Sequence, residues 1–365
     1  MRLRQACSST RSIRATLDCP HASRIPPNLS SLRICDLALV EPVKAMPYLK
    51  SLTLHGKYHL SISVLQAAIS AAPLEHIIVT VLLFPAKDVG VFVKSLLEKP
   101  LQTLKLDEYV PDDVVALIGR THLRDLAISM NGEAAAIKEM AKCRTLRKLR
   151  LEVPERRYQD VDFLPLSELP LEVMELNGCS STAYVQPALK KASTFFYEGE
   201  INLTKFRKGL KTLEVWGESV KGDIDTLTTL EWLVIMCPFE IKVKLPNLIV
   251  LQVGDLFSFD VEDIAKHSPN IEVWSFSLRL IGPSDLVATL VALSNLSRLQ
   301  YLGIETPNQI RLQGAMNVCH HLKLLLLDGE QVVREEIRQR AKLRNIIFDN
   351  AYSLLDYARP KHDMF

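Results

Sequence analysis

Along this chain a large aliphatic residue is followed by two more at offsets of three and five, and the phrase keeps returning. Leu146/Leu149/Leu151 shows it most plainly. The same spacing appears at Leu29/Leu32/Ile34, Leu49/Leu52/Leu54, Leu74/Ile77/Val79, Leu101/Leu104/Leu106 and Leu123/Leu126/Ile128. It continues at Leu171/Met174/Leu176, in degenerate form at Ala192/Phe195/Tyr197, then at Leu210/Leu213/Val215, Leu230/Leu233/Ile235 and Leu248/Leu251/Val253. Ile271/Trp274/Phe276, Leu299/Leu302/Ile304, Leu322/Leu325/Leu327 and Leu343/Ile346/Phe348 complete about 15 units. Fourteen steps carry Leu29 to Leu343, a distance of 314 residues and a mean period of about 22.

Such spacing has a simple steric meaning. Neighbouring side chains of a short strand point to opposite faces, so offsets +3 and +5 turn into a core while +2, +4 and +6 turn away. Strands repeating at this period stack into one parallel sheet, and each unit buries its apolar face only against its neighbours. The expected architecture is therefore an α/β solenoid: a curved horseshoe with a concave parallel sheet and convex helices and loops.

The intervening segments support this. Val64, Leu65, Ala68, Ile69 and Ala72 follow helical periodicity, as do Val89, Phe92, Val93, Leu96 and Leu97. Further helices are expected at Asp112–Arg120, Glu133–Lys142, Val261–His267, Ser284–Ala292, Gln313–Cys319 and Glu330–Arg340, with Asp88, Asp112 and Ser284 as N-caps. Between Leu171 and Leu248 the steps shrink to 21, 18, 20 and 18 residues, too short for convex helices. A flatter, helix-poor section is expected at about 171–250, because wide helices behind narrow strand spacing are what drive curvature. The organisation expected is a cap or basic leader at 1–28, a single solenoid over 29–349 and a tail at 350–365.

The repeat resembles the leucine-rich-repeat superfamily, and the variable helical units are similar to its F-box and ribonuclease-inhibitor-like branches. Met140–Leu151 (MAKCRTLRKLRL) and Met316–Leu327 (MNVCHHLKLLLL) are similar to the helix, cysteine, two residues, leucine-strand phrase of F-box repeat proteins. The resemblance spans 29–349. It implies a non-catalytic module that binds a protein partner on its concave face, and for the F-box branch substrate recognition within a ubiquitin ligase. Two departures stand against the F-box version. The consensus Asn or Cys at +8 is present only as Asn131 and Cys179, where other units have Lys57, Tyr109, Pro154 or Glu218, so those turns need other closure. The first 28 residues are also too few and too basic for an F-box. A scaffold or inhibitor with no ligase link is the alternative, and an enzyme with an unmarked site a remote one.

Composition narrows this picture. Hydrophobic residues make up 48% and aromatics only 7%, which fits an aliphatic repeat core and not a disordered chain. A formal charge of +2 gives no bulk support for a nucleic-acid or membrane partner, and no apolar run is long enough for a spanning helix. Seven isolated cysteines without a CxxC pair read as packed thiols in a cytoplasmic or nuclear protein. Arg2, Arg4, Arg11 and Arg14 precede the first acid, Asp18, which leaves a mitochondrial leader as the alternative. Sequons at Asn28, Asn202 and Asn295 carry little weight without a secretory signal.

No phosphate loop, dinucleotide fingerprint, nucleophile elbow or HExxH motif occurs, and no cofactor or metal is expected. His55 and His59 have a ligand-like spacing, but Gly56 between them favours a loop. The informative residues are those the core does not need. Early units present Ser31, Arg33, Ser51, Thr53, His55 and His76; Lys148, Arg150 and Glu152 form a charged patch. Phe196, Trp216, Trp232, Val234, Met236 and Val250 then fall on outward positions, with Trp216 expected beside Met236 and Phe196 beside Glu214. Aromatics and Met on a wetted face are typical of interaction sites, while packing within the chain is the competing explanation. Trp274, at +3, belongs to the core.

Overall fold

The computed structural model divides into two compact units, Met1–Cys179 and Ser180–Phe365. It describes residues 12–15, 30–34, 47–58, 72–82, 86–153 and 163–177 of the first unit. Of the second it describes 191–195, 200–202, 209–216, 219–221, 227–236, 244–253, 261–277, 283–305, 319–327 and 347–349, with isolated positions between.

In the first unit, eight described strands pair in chain order, all parallel: β1 (Ser12–Ala15), β2 (Ser31–Ile34), β3 (Ser51–Tyr58), β4 (His76–Leu82), β5 (Thr103–Tyr109), β6 (Asp125–Ser129), β7 (Lys148–Glu152) and β8 (Val173–Asn177). The +3 residues Leu32, Leu52, Ile77, Leu104, Leu126, Leu149 and Met174 stand level across the sheet. Each is 1% exposed or less. Full burial of one such side chain stabilises by roughly 1.5–3 kcal/mol, and here every contribution depends on the next repeat. The strand β1, level with β2 through Ile13 and Leu32, adds a unit ahead of Leu29.

Behind the strands lie α1 (Ala86–Leu97), α2 (Asp112–Val115) continuing into a 3-10 turn (Ala116–Arg120), and α3 (Ala134–Met140). Of the α1 face expected to pack, Val89, Phe92, Val93 and Leu96 are buried and Leu97 is partly exposed. The 3-10 turn and α3 approach so closely that a Cβ on Gly119 would lie 2.0 Å from the Glu139 carbonyl oxygen. Only glycine fits there.

The turns are closed mainly by the backbone of adjacent repeats. At each strand entry one carbonyl accepts two N–H groups from the next repeat: Glu75 and His76 donate to Lys50 at 2.8 and 2.9 Å, and Arg124 and Asp125 to Gln102 at 2.8 and 3.0 Å. At strand exits Val110 donates to Ser129 at 2.7 Å and Met130 to Glu152 at 2.9 Å. Cys143, buried, donates weakly to the Leu123 carbonyl that Thr145 also reaches.

Asp112 does not cap its own helix. Pro111 holds that position, and α2 has no side-chain cap hydrogen bond. Instead the Asp112 carboxyl faces the next repeat, where the Glu133 and Gly132 backbone and the Asn131 side chain favour its charged form. The two other expected caps also start too late: α1 begins at Ala86, ahead of Asp88, and a proline precedes Ser284 as the first helical residue.

In the second unit another eight described strands form a parallel ladder in chain order: β9 (Lys191–Phe195), β11 (Thr212–Trp216), β13 (Trp232–Met236), β14 (Val250–Val253), β15 (Val273–Ser277), β16 (Tyr301–Glu305), β17 (Leu324–Leu327) and β18 (Ile347–Asp349). The short strands β10 (Glu200–Asn202) and β12 (Ser219–Lys221) pair separately, so strand occupies two of the helix-poor connections. Helices α4 (Val261–His267) and α5 (Pro283–Ser294) follow. The helices expected at 64–72, Gln313–Cys319 and Glu330–Arg340 fall largely outside the described residues.

Two registers differ from those expected. Ala192, not Phe195, is level with Leu213, a slip of three residues in β9. An odd slip exchanges the faces of a strand, and the degenerate Ala192/Phe195/Tyr197 unit has no leucine to prevent it. Phe348, not Ile346, is level with Leu325, an even slip of two that keeps the faces. Trp274 is fully buried at its core position. The fold is a leucine-rich-repeat fold.

Candidate interaction surface

The face opposite the leucines differs sharply between the units. In β2–β8 no +2 or +4 residue is buried: Lys148 is exposed and the others are partly exposed. Lys148 is exposed and Arg150 half-exposed, level on the next strand with Val173 and Glu175. Beside them Lys105 and Asp125 make a 3.1 Å ion pair, at 15% and 19% side-chain exposure. Such partial burial strengthens the Coulomb attraction over that of a fully wetted pair. His76 Nδ1 lies 3.0 Å from Thr103 Oγ1. At the end of β5, burial and the neighbouring Asp107 push the Glu108 carboxyl above its ordinary range. This face is a water-exposed mixture of charge and hydrogen-bonding groups.

In the second unit the same positions are largely closed. Val234 is 0% exposed, Val250 5% and Val273 7%, and Glu214 is buried with them. The expectation that Val234 and Val250 lie open on an outward face is therefore corrected. Their direction is as the alternation requires, since Val234 is level with Glu214 and Gln252, and Val250 with Trp232 and Val273. What alternation leaves out is height. Val234 is a short side chain whose neighbours, Trp232 and Met236 along the strand and Glu214 and Gln252 across it, all reach further.

Trp232 and Met236 are half-exposed at the margin of this layer. Trp216 ends β11 level with Met236, as expected. On its other side stands Phe195, while Phe196 lies outside the described residues. Trp232 Nε1 and Gln252 Oε1 are buried without a hydrogen-bond partner among the described residues. A donor and an acceptor thus sit unsatisfied within one apolar layer, at a cost of about 1–3 kcal/mol each. Sequence reading missed Val273 and Tyr301, which extend the Trp232–Val250 row. The signal was present in the apolar +2 positions of β15 and β16.

Chemistry beyond recognition finds little here. Among the described residues no three His, Cys, Asp or Glu side chains gather as metal ligands. A shallow groove of about 410 Å³ follows the strand entries of the second unit, lined by Lys211, Thr229, Glu231, Asn247, Ile249, Asn270 and Arg298. Its polar groups are largely engaged with each other or with backbone: Lys211 pairs with Glu231 at 2.6 Å, Asn270 reaches the Pro246 carbonyl, and Arg298 reaches Asn270. No described helix is long and apolar enough to cross a membrane.

No protein-family model matches the chain, and no curated protein matches it. Solved structures do. A leucine-rich-repeat protein of Leptospira interrogans aligns at TM-score 0.42 and 16% identity, over 88% of this chain and 90% of its own. An internalin of Listeria monocytogenes aligns at TM-score 0.37 and 14% identity, over 90% and 82%. The leucine-rich-repeat-containing protein LegL7 of Legionella pneumophila aligns at 0.29 and 11%, over 92% and 97%.

Proposed function

We propose that this chain is a non-catalytic module that binds a protein partner on the outward side of its strands. The observation carrying the proposal is the contrast between faces: +3 residues of β2–β8 are sealed, while none of the +2 and +4 residues on the same strands is buried and their chemistry is varied. A sheet face that the fold leaves uncovered and furnishes with Lys148, Arg150, Glu152 and Glu175 suits a polar protein surface. In the second unit Trp232, Trp216 and Met236 are the proposed aromatic and thioether contacts, with Val234 and Val250 packed beside Trp232.

Within that function, substrate recognition for a ubiquitin ligase draws support from the Met140–Leu151 phrase, whose Cys143 is buried between repeats. A ligase-free scaffold or inhibitor is the alternative. Affinity purification with quantitative mass spectrometry tests both, comparing the wild type with Lys148→Glu/Arg150→Glu and with Trp216→Ala/Trp232→Ala. Loss of the same partners in a folded variant supports the reading, and ligase scaffold subunits among them support the finer one. Unchanged partners in both folded variants refute it.

A further inference from the structure

Asparagine followed by glycine is the backbone pair most prone to self-modification, because glycine's missing side chain lets its nitrogen swing towards the asparagine side chain. Asn131–Gly132 is such a pair, placed where the chain leaves β6 and turns towards α3. Both groups that would react stand beside one buried carboxyl. The Asp112 carboxyl lies close enough to the Gly132 N–H, the Asn131 side chain and the Glu133 N–H for each to favour its charged form. That carboxyl is itself fixed: Asp112 is 7% exposed and opens α2 in the preceding repeat. On the other side Met130 is fully buried and its N–H donates to the Glu152 carbonyl at 2.9 Å. Gly132 is held at φ 83°, a conformation that side chains other than glycine rarely adopt.

We propose that Asn131–Gly132 is a latent deamidation site held closed by Asp112. When the turn opens, the Gly132 nitrogen attacks Asn131 Cγ. A C–N bond forms, the bond from Cγ to the side-chain nitrogen breaks, and ammonia leaves with the proton from Gly132. Water then opens the cyclic imide, adding hydroxyl to one carbonyl carbon and hydrogen to the nitrogen, and leaves aspartate or isoaspartate. No oxidant or further reactant is needed. The product cannot restore the turn: a carboxylate replaces a donor beside Asp112, whose Oδ1 is already buried without a partner among the described residues. Isoaspartate also adds a methylene to the main chain. The site thus accumulates an irreversible mark in proportion to the time the β6–α3 turn spends open.

The test is peptide mass spectrometry of the intact chain kept at mildly alkaline pH, natively and in urea, with the chain's second pair, Asn177–Gly178, quantified in the same digests. Native wild type is expected to deamidate at Asn131 at least about tenfold more slowly than the unfolded chain, the scale set by one charge-assisted hydrogen bond. Folded Asp112→Ala moves towards the unfolded rate, while Asp112→Asn, which keeps an oxygen acceptor, stays near the wild type. Equal rates at Asn131 in native and unfolded wild type overturn the proposal, as does a folded Asp112→Ala as slow as the wild type. Should Asp112→Ala fail to fold, hydrogen exchange of the wild-type Gly132 amide decides: protection supports the proposal and free exchange overturns it.

Discussion

Replacing Val234 with alanine distinguishes a closed outward layer from an open one. Alternation alone places Val234 on the wetted side of β13, where truncation would cost little; the structure gives it no solvent exposure. The substitution deletes two methyl groups, worth about 1.6 kcal/mol at roughly 0.8 kcal/mol for each buried carbon. Leu233 and Ile235 beside it on the strand are fully buried, so the gap relaxes incompletely and the cost rises to about 2–3 kcal/mol. Arginine 150 occupies the same +4 position on β7 and is half-exposed, so Arg150→Ala should stay within about 0.5 kcal/mol of the wild type. Urea unfolding followed by circular dichroism, with midpoints and slopes compared between variants, measures both. A Val234→Ala cost below about 1 kcal/mol, no more than strand propensity alone can supply, would refute the closed layer.

Other consequences follow from the same packing. Gly119→Ala forces a Cβ into the Glu139 carbonyl and should destabilise by about 1–3 kcal/mol, read as a lower thermal midpoint. Asp112 is held above its ordinary range chiefly by burial, so the folded state binds its proton more tightly than the unfolded state does. Its contribution is therefore greatest at acid pH and declines as pH rises through the raised value, so wild type should lose stability relative to Asp112→Asn between acid and neutral pH in paired urea titrations. Lys148→Glu/Arg150→Glu should leave the unfolding midpoint nearly unchanged, because neither side chain is buried. Trp232→Phe removes a buried N–H that lacks a partner among the described residues, so it should cost less than the lost ring area alone implies, by the same unfolding assay.

Much of the fold could be read from the chain because offset and period are steric quantities. Leu149 and Leu151 must share a face whatever surrounds them, and a returning leucine at +3 aligns each strand with the last. Where leucine disappears, so does that certainty: Ala192/Phe195/Tyr197 offers three unlike residues, and β9 settles three residues away from the expected register. The strand β1 was equally hard to foresee, since Ile13 and Ala15 make a weak version of the phrase.

The outward face was legible in direction but not in exposure. Val234 and Val250 point where alternation says, yet whether water reaches them depends on the length of side chains one strand away, which no single repeat encodes. Asp112 shows the same limit. Its type and place before a helix signal a cap, and it does face N–H groups at the approach to a helix, but in the following repeat. Pairings between repeats follow from stacking, not from local sequence.

Photo-crosslinking reports which face of the repeats a partner occupies. A benzophenone side chain placed at Arg150 on β7, or at Met236 on β13, is compared with one at Val91, which is 56% exposed on α1 behind the sheet. Specific partner crosslinks from either outward position, with none from Val91, are the predicted result. Crosslinks to the same partner from Val91 alone would contradict the account and move the binding surface to the helices.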